Sequence, residues 1–194
     1  MTADLFGEAL LPGLDYRPEF ISAEEERALI AGIEAMHLSP FRFHGWTGKR
    51  MTHTFGWRYD FDDASFAPAE PLPDWLQPLR ARAADFAEEE PEEFVHALIA
   101  RYDPGAGIGW HRDRPVFDKV VGVSLGAPEV LRFRQRTEDG FRRAELPVEP
   151  RSAYLLTGDA RHEWEHRITP GQGLRFSITF RALSRLGRRK ATAL

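Results

Sequence analysis

Two side chains of complementary chemistry stand two residues apart in HRDRPVFDKVVGVSLG: His111 and Asp113. On extended backbone, residues i and i+2 face the same side, so an imidazole nitrogen and a carboxylate oxygen can point together. With a second histidine they form a two-histidine, one-carboxylate set, which leaves three positions open on octahedral iron. A lone HxD decides nothing without that third ligand. His162 and His166, in RHEWEHRI, are the candidates. The letters HEWEH invite comparison with the HExxH site of zinc metalloproteases, but that site needs both histidines on one helix face. Turn signals before the pair and a strand candidate after it disfavour such a helix.

A second chemical signal lies in RFSITFR, residues 175–181. Strand alternation puts Arg175, Ser177 and Arg181 on one face, and Phe176, Ile178 and Phe180 on the other. A guanidinium offers a planar donor fork that matches a carboxylate. A third signal is FRFHGWTGKRMTHTFGWRYDF, residues 41–61, where aromatic and basic residues interleave. It reads as a hairpin turning near Thr47-Gly48. Arg50, Trp57 and Tyr59 are candidate contacts to phosphates and bases, and Arg114, beside the HxD pair, is a fourth. A half-buried hairpin with its basic residues in water fits the same text, and both readings stay open.

These groups need a frame. Ser22 and Glu25 have capping-box spacing, and an apolar face at Leu29, Ile33 and Met36 predicts a helix over 23–37 that Ser39-Pro40 stops. Trp75, Leu76, Leu79, Ala83 and Phe86 predict a second helix. Residues 8–17 read as a strand and the proline-rich stretch 62–73 as a loop. The acidic run 88–93 reads as an exposed helix end and turn. From Val95 onward VHALIARY, KVVGVSL, EVLRFR, RRAELPV, SAYLLT and LRFSITF read as short strands separated by turns. Strands without long intervening helices disfavour a doubly wound fold and favour a mainly β sandwich or jelly roll with supporting helices.

The 194 residues are 42% hydrophobic and 29% charged, enough for one compact domain. The formal charge of −4 neither requires nor excludes a nucleic-acid partner. The absence of cysteine excludes disulfides, thiolate metal sites and cysteine nucleophiles. No apolar run is long enough to cross a membrane, and the N-terminus lacks a secretory pattern. A cytoplasmic monomer is the expectation.

The blocks LIARYDPGAGIGWHRD, VVGVSLG, LLTGDARHEWEHRI and RFSITFR, in this order and spacing, resemble the AlkB-like branch of the Fe(II)/2-oxoglutarate dioxygenases. The resemblance covers about 95–182 and implies a double-stranded β-helix (jelly roll) core there. Residues 1–94 would carry the support helices and a nucleotide-recognition lid at about 41–61, and 183–194 a basic tail. The resemblance implies His111, Asp113 and His166 as Fe(II) ligands, with His162 outside the set. It assigns Arg175 to the distal carboxylate of 2-oxoglutarate, Arg181 to its metal-proximal end, and Tyr102 and Ser177 as hydrogen-bonding neighbours. O₂ is the other cosubstrate.

Ala100 and Ser177 stand where many relatives have asparagine, and Pro115 where the bacterial repair enzymes have an acidic residue. RMTHTFGWRYDF looks closer to the tRNA-modifying branch. The implied activity is oxidative demethylation of alkylated bases in DNA or RNA, with release of succinate, CO₂ and formaldehyde. Oxidation of a protein or small-molecule substrate, and nucleic-acid binding by a weakened oxygenase site, are the alternatives.

Overall fold

The computed structural model describes residues 11–43, 46–59 and 66–192. In chain order the elements are β1 (Leu14–Arg17), α1 (Ala23–Glu34), β2 (Ser39–Phe43), β3 (Trp46–Phe55), β4 (Trp57–Tyr59), β5 (Phe66–Pro68) and α2 (Gln77–Ala87). Then come β6 (Phe94–Tyr102), β7 (Ile108–His111), β8 (Phe117–Gly126), β9 (Glu129–Thr137), β10 (Gly140–Val148) and β11 (Ala153–Leu156). The chain continues with α3 (Gly158–His162), β12 (Glu165–Ile168), β13 (Arg175–Leu183) and α4 (Arg185–Thr192).

Among the described residues the strands build two main antiparallel sheets of a jelly roll and a two-stranded β4-β5 sheet beside them. The larger has the order β1-β11-β8-β13-β6-β3-β2, and the smaller β10-β9-β12-β7. Between them pack Val120, Leu131, Phe133, Leu146, Val148, Tyr154 and Ile168. The other face of the large sheet is covered by helices: Leu29 and Ile33 of α1 and Leu79 and Ala83 of α2 meet Ile99, Val121, Val123, Phe176, Ile178 and Phe180. The large sheet is therefore buried on both faces at its centre, and all nine residues of β13 are buried. Gly122 lies opposite Tyr154 in the register. A Cβ there would come within 2.2 Å of the tyrosine ring, so only glycine admits it.

Local chemistry sets the helices. Ser22 Oγ accepts from the Glu25 amide at 3.1 Å, and Glu25 Oε2 accepts from the Ser22 amide at 2.7 Å. The expected capping box is present. Glu25 also takes both guanidinium nitrogens of Arg82, at 2.7 and 3.1 Å, which ties α1 to α2.

Several boundaries differ from expectation. Helix α1 ends at Glu34 because Ser39-Pro40 already belongs to β2, which the sheet pairs with β3. Phe43 pairs with Trp46, so the hairpin reverses between them and Thr47-Gly48 lies within β3. The proline-rich stretch holds β5, which satisfies the backbone of β4. The basic tail forms α4, seated through Ser184 Oγ on the Gly187 amide and an ion pair between Arg188 and Glu93. Residues 8–10 of the first strand candidate lie outside the described residues.

One polar contact joins β13 to the loop after β7. Arg181 grips Asp113 Oδ1 through Nε at 2.9 Å and Nη2 at 2.8 Å, with both side chains about one-tenth exposed. Breaking a buried pair by removing one partner costs more than removing both. Arg181→Met is expected to lower stability in chemical denaturation by about 3 kcal/mol, and adding Asp113→Asn to recover most of that loss.

A second outcome concerns acid. Arg82, with the Ser22 amide, lowers the Glu25 carboxyl from 4.5 to about 2. The folded value lies below the unfolded one, so its stabilisation is full above pH 4.5 and is lost as pH falls toward 2. Glu25→Ala should cost about 1 kcal/mol at pH 7, since the pair is partly exposed. Urea midpoints of the variant and parent should converge near the acid end.

Candidate metal centre and anion cradle

His111 ends β7 and His166 lies in β12, and antiparallel pairing sets them directly opposite. Their ring centroids are 4.3 Å apart. Two residues on, past the strand end, Asp113 joins the same pocket wall. The His111 Nδ1 bonds the Gly109 carbonyl oxygen at 2.8 Å. A carbonyl only accepts, so Nδ1 carries the hydrogen and Nε2 keeps its lone pair. Burial lowers the His111 pKa, and burial followed by the neighbouring His111 lowers that of His166 to about 3. Both rings are neutral at ordinary pH. Burial acts to raise the Asp113 pKa, but the Arg181 guanidinium overcomes it and holds the carboxyl below its usual range.

Two neutral imidazoles and one carboxylate are the donor set a divalent first-row metal takes. His166 Nδ1 is buried without a hydrogen-bond partner, a cost that a protein rarely leaves unrelieved. The donors therefore fit a metal in chemistry and in neighbourhood. Among the described residues, no three of them already close together in ligating geometry, because Asp113 rests on Arg181.

The register of β13 decides the second feature. Arg175 pairs with Tyr102, and Ser177 with both Ala100 and Ser124. Arg175 is only 3% exposed. Its Nε donates to Ser124 Oγ at 3.2 Å, and its guanidinium lies 5.2 Å from the Tyr102 ring centre. Its Nη1 is buried without a partner, and no carboxylate among the described residues pairs with it. An unanswered buried cation is an anion site awaiting its ligand. For Tyr102, burial acts to raise the phenol pKa, while Arg50 and Arg175 reverse that and lower it. Ala100 contributes no polar atom beside Ser177, so the serine and arginines carry the polar contacts there.

Arg50 enters this cradle from β3. It is 6% exposed, and Nη1 reaches the Tyr102 hydroxyl at 3.4 Å. Arg50 and Arg114 line the pocket that holds His111, Asp113 and Arg181. Trp57 does not. Its ring stacks on Phe66 at 4.8 Å and packs on the Val116–Phe117–Leu183 cluster, while the side chain stays partly exposed. The Tyr59 side chain lies outside the described residues. His162 ends α3 and pairs with Asp118 at 3.1 Å on the surface, while His166 is on a strand. The two histidines share no helix face.

Two contributors carry no motif. His96, buried on β6, meets Arg181 at 3.5 Å and the Phe117 ring at 4.6 Å. Arg161, buried in α3, donates to the Arg114 and Phe117 carbonyls at 2.7 and 2.6 Å, and pins the loop that carries Asp113. Only the alternation of β6 hints at the first; nothing local marks the second.

Comparison with known proteins follows the same lines. A model of the 2OG-Fe(II) oxygenase superfamily matches residues 13–181. The chain is 28% identical over 172 residues to the tRNA (carboxymethyluridine(34)-5-O)-methyltransferase ALKBH8 of Mus musculus, across 84% of this chain and 25% of that protein. It thus spans about a quarter of that relative's length. It is 30% identical over 154 residues to the alpha-ketoglutarate-dependent dioxygenase AlkB of Salmonella typhimurium, across 71% of this chain and 66% of that one. The structure of OsALKBH1 superposes with a TM-score of 0.66 at 17% identity, covering 90% of this chain and 99% of the other. A prolyl-4-hydroxylase of Pseudomonas putida superposes at 0.62 and 16% identity, covering 89% and 93%. These two show the shared fold. No helix among the described residues is long and apolar enough to cross a membrane. The family match spans both sheets, the histidine pair and the arginine strand alike: the chain belongs to the AlkB-like branch of the 2OG-Fe(II) oxygenase superfamily, whose members use Fe(II), 2-oxoglutarate and O₂.

Proposed function

We propose that this chain is a 2-oxoglutarate-dependent dioxygenase that demethylates alkylated bases in DNA or RNA. The observation that carries the oxygenase reading is Arg175: a buried guanidinium with an open Nη1 beside Tyr102, on the same strand as the arginine that holds Asp113. His111, Asp113 and His166 would hold Fe(II). Arg175, with Tyr102 and Ser177, would take the distal carboxylate of 2-oxoglutarate, and Arg181 its metal-proximal end. When bound, Fe(II) couples oxidative decarboxylation of 2-oxoglutarate to oxidation of a nearby C–H bond, and an oxidised N-methyl group is released as formaldehyde. The protein's own part is orientation. Arg175 fixes one end of the cosubstrate, Arg181 positions Asp113, and the apolar walls between the sheets limit water.

The nucleic-acid substrate is supported by the basic pocket mouth, where Arg58, Arg112 and Arg114 can meet phosphates, and by relatives named for tRNA and DNA. A base inside a duplex would have to leave the stack to reach the site. The commitment of Trp57 to Phe66 favours, as a second reading, a protein or small-molecule substrate, because it removes one stacking surface.

Succinate formation by the iron-loaded protein separates these readings. The panel holds unmodified and methylated oligonucleotides, single- and double-stranded, and tRNA. Turnover that needs a modified strand and disappears in His111→Ala supports demethylation. Strand binding without turnover points to a binding protein, and turnover only with peptides or metabolites to the second reading. For the cosubstrate, Arg175→Met is expected to raise the KM for 2-oxoglutarate by roughly a hundredfold, in line with loss of a charge-assisted pair. Arg175→Lys should recover part of it. An unchanged KM would remove Arg175 from that role.

A further inference from the structure

Among the described residues, the pocket over His111 is lined by five arginines, Arg50, Arg58, Arg112, Arg114 and Arg181, against one carboxylate, Asp113. That carboxylate is already held by Arg181. Arg58 and Arg112 are exposed and can be answered by phosphate and water. Arg50 cannot. It is 6% exposed, lies over the Phe41 ring at 4.3 Å, touches the Tyr102 hydroxyl, and buries its Nε without a partner. No ion pair reaches it among the described residues. Between the anion cradle and the pocket, Arg50 thus keeps one donor, Nε, that no described residue uses, and the described lining of the pocket carries more cations than carboxylates.

We infer that this pocket rejects positively charged alkylated bases and accepts uncharged or negatively charged ones, with Arg50 as the specificity-determining residue. The inference rests on the nucleic-acid reading above and narrows it. A ring methylated so as to carry a permanent positive charge would meet a like charge where water is scarce. Such repulsion at contact distance in a partly buried site changes binding at least about tenfold. A base that presents a carbonyl or carboxylate gives Arg50 the acceptor it lacks.

The test compares bases alike in shape and different in charge, in one short single strand. 3-Methylcytosine is a cation at neutral pH, while 3-methyluracil carries the same methyl on an uncharged ring. Affinities are read by fluorescence anisotropy on the full chain with Mn(II) and 2-oxoglutarate under anaerobic conditions, so that no turnover is needed. The expected result is tighter binding of 3-methyluracil by at least about tenfold. Arg50→Gln should narrow the ratio to about threefold or less, while Arg50→Lys, which keeps the charge, should hold it. A strand with 5-carboxymethyluracil should bind the parent at least as well as the uncharged one. Equal or tighter binding of 3-methylcytosine by the parent overturns the inference, as does a ratio that a folded Arg50→Gln leaves unchanged. If the variant does not fold, the parent alone decides, through 1-methyladenine (a cation) against the uncharged isomer N6-methyladenine. If no modified strand binds more tightly than its unmodified counterpart, the nucleic-acid reading itself fails and takes the inference with it.

Discussion

Burying charge inside a protein requires an answer for every charge, and β13 brings that demand to the centre of this fold. Its inward face carries Arg175, Ser177, Thr179 and Arg181, all buried. Arg181 is answered by Asp113, a residue from the other side of the sandwich. That pair anchors the loop that follows β7, while the β7–β12 register sets His111 opposite His166. Arg175 has only a serine hydroxyl and an aromatic ring. Strand β13 thus holds one satisfied buried cation and one unsatisfied one, about three two-residue repeats apart. The first builds the metal wall; the second is a place for an anion.

The same physics spreads outward from β13. Tyr102, paired with Arg175 across the ladder, lies between two cations and has its phenol pKa lowered by them. Tyr154, buried with the weaker influence of Arg175, has its pKa raised to about 12 by burial. Two tyrosines of one core thus sit in opposite electrostatic settings, and the difference is the arrangement of arginines. The outward face of β13 has the opposite duty. Phe176, Ile178 and Phe180 pack on the helices and hold the strand flat against them. The supporting helices therefore position a site they never touch.

Much of this was legible because strand periodicity is simple. The alternation in RFSITFR places Phe176, Ile178 and Phe180 on the helix-covered face, whereas Asp113 lies past the end of β7, where strand alternation no longer orients it. The capping box at Ser22 and Glu25 also forms as read. Legibility failed where the deciding partner was distant in sequence. Thr47-Gly48 has turn composition, yet pairing with β2, which sets Thr47 opposite Arg42, keeps it within β3. Trp57 reads equally as a stacking surface or as packing, and its ring partner Phe66 lies beyond the hairpin. His96 and Arg161 carry no motif, because their roles depend on Arg181 and on two carbonyls far along the chain.

By itself the sequence determined the donor types, their faces on each strand and the apolar or polar duty of every second residue, since these follow from residue chemistry and a period of two. Only the tertiary structure decided which faces meet. Antiparallel register set His111 against His166, sheet packing delivered Asp113 to Arg181, and burial left Arg50 and Arg175 without carboxylates among the described residues. Those outcomes depend on long-range pairing and on the loss of water around a charge, and neither is a property of any short stretch of chain.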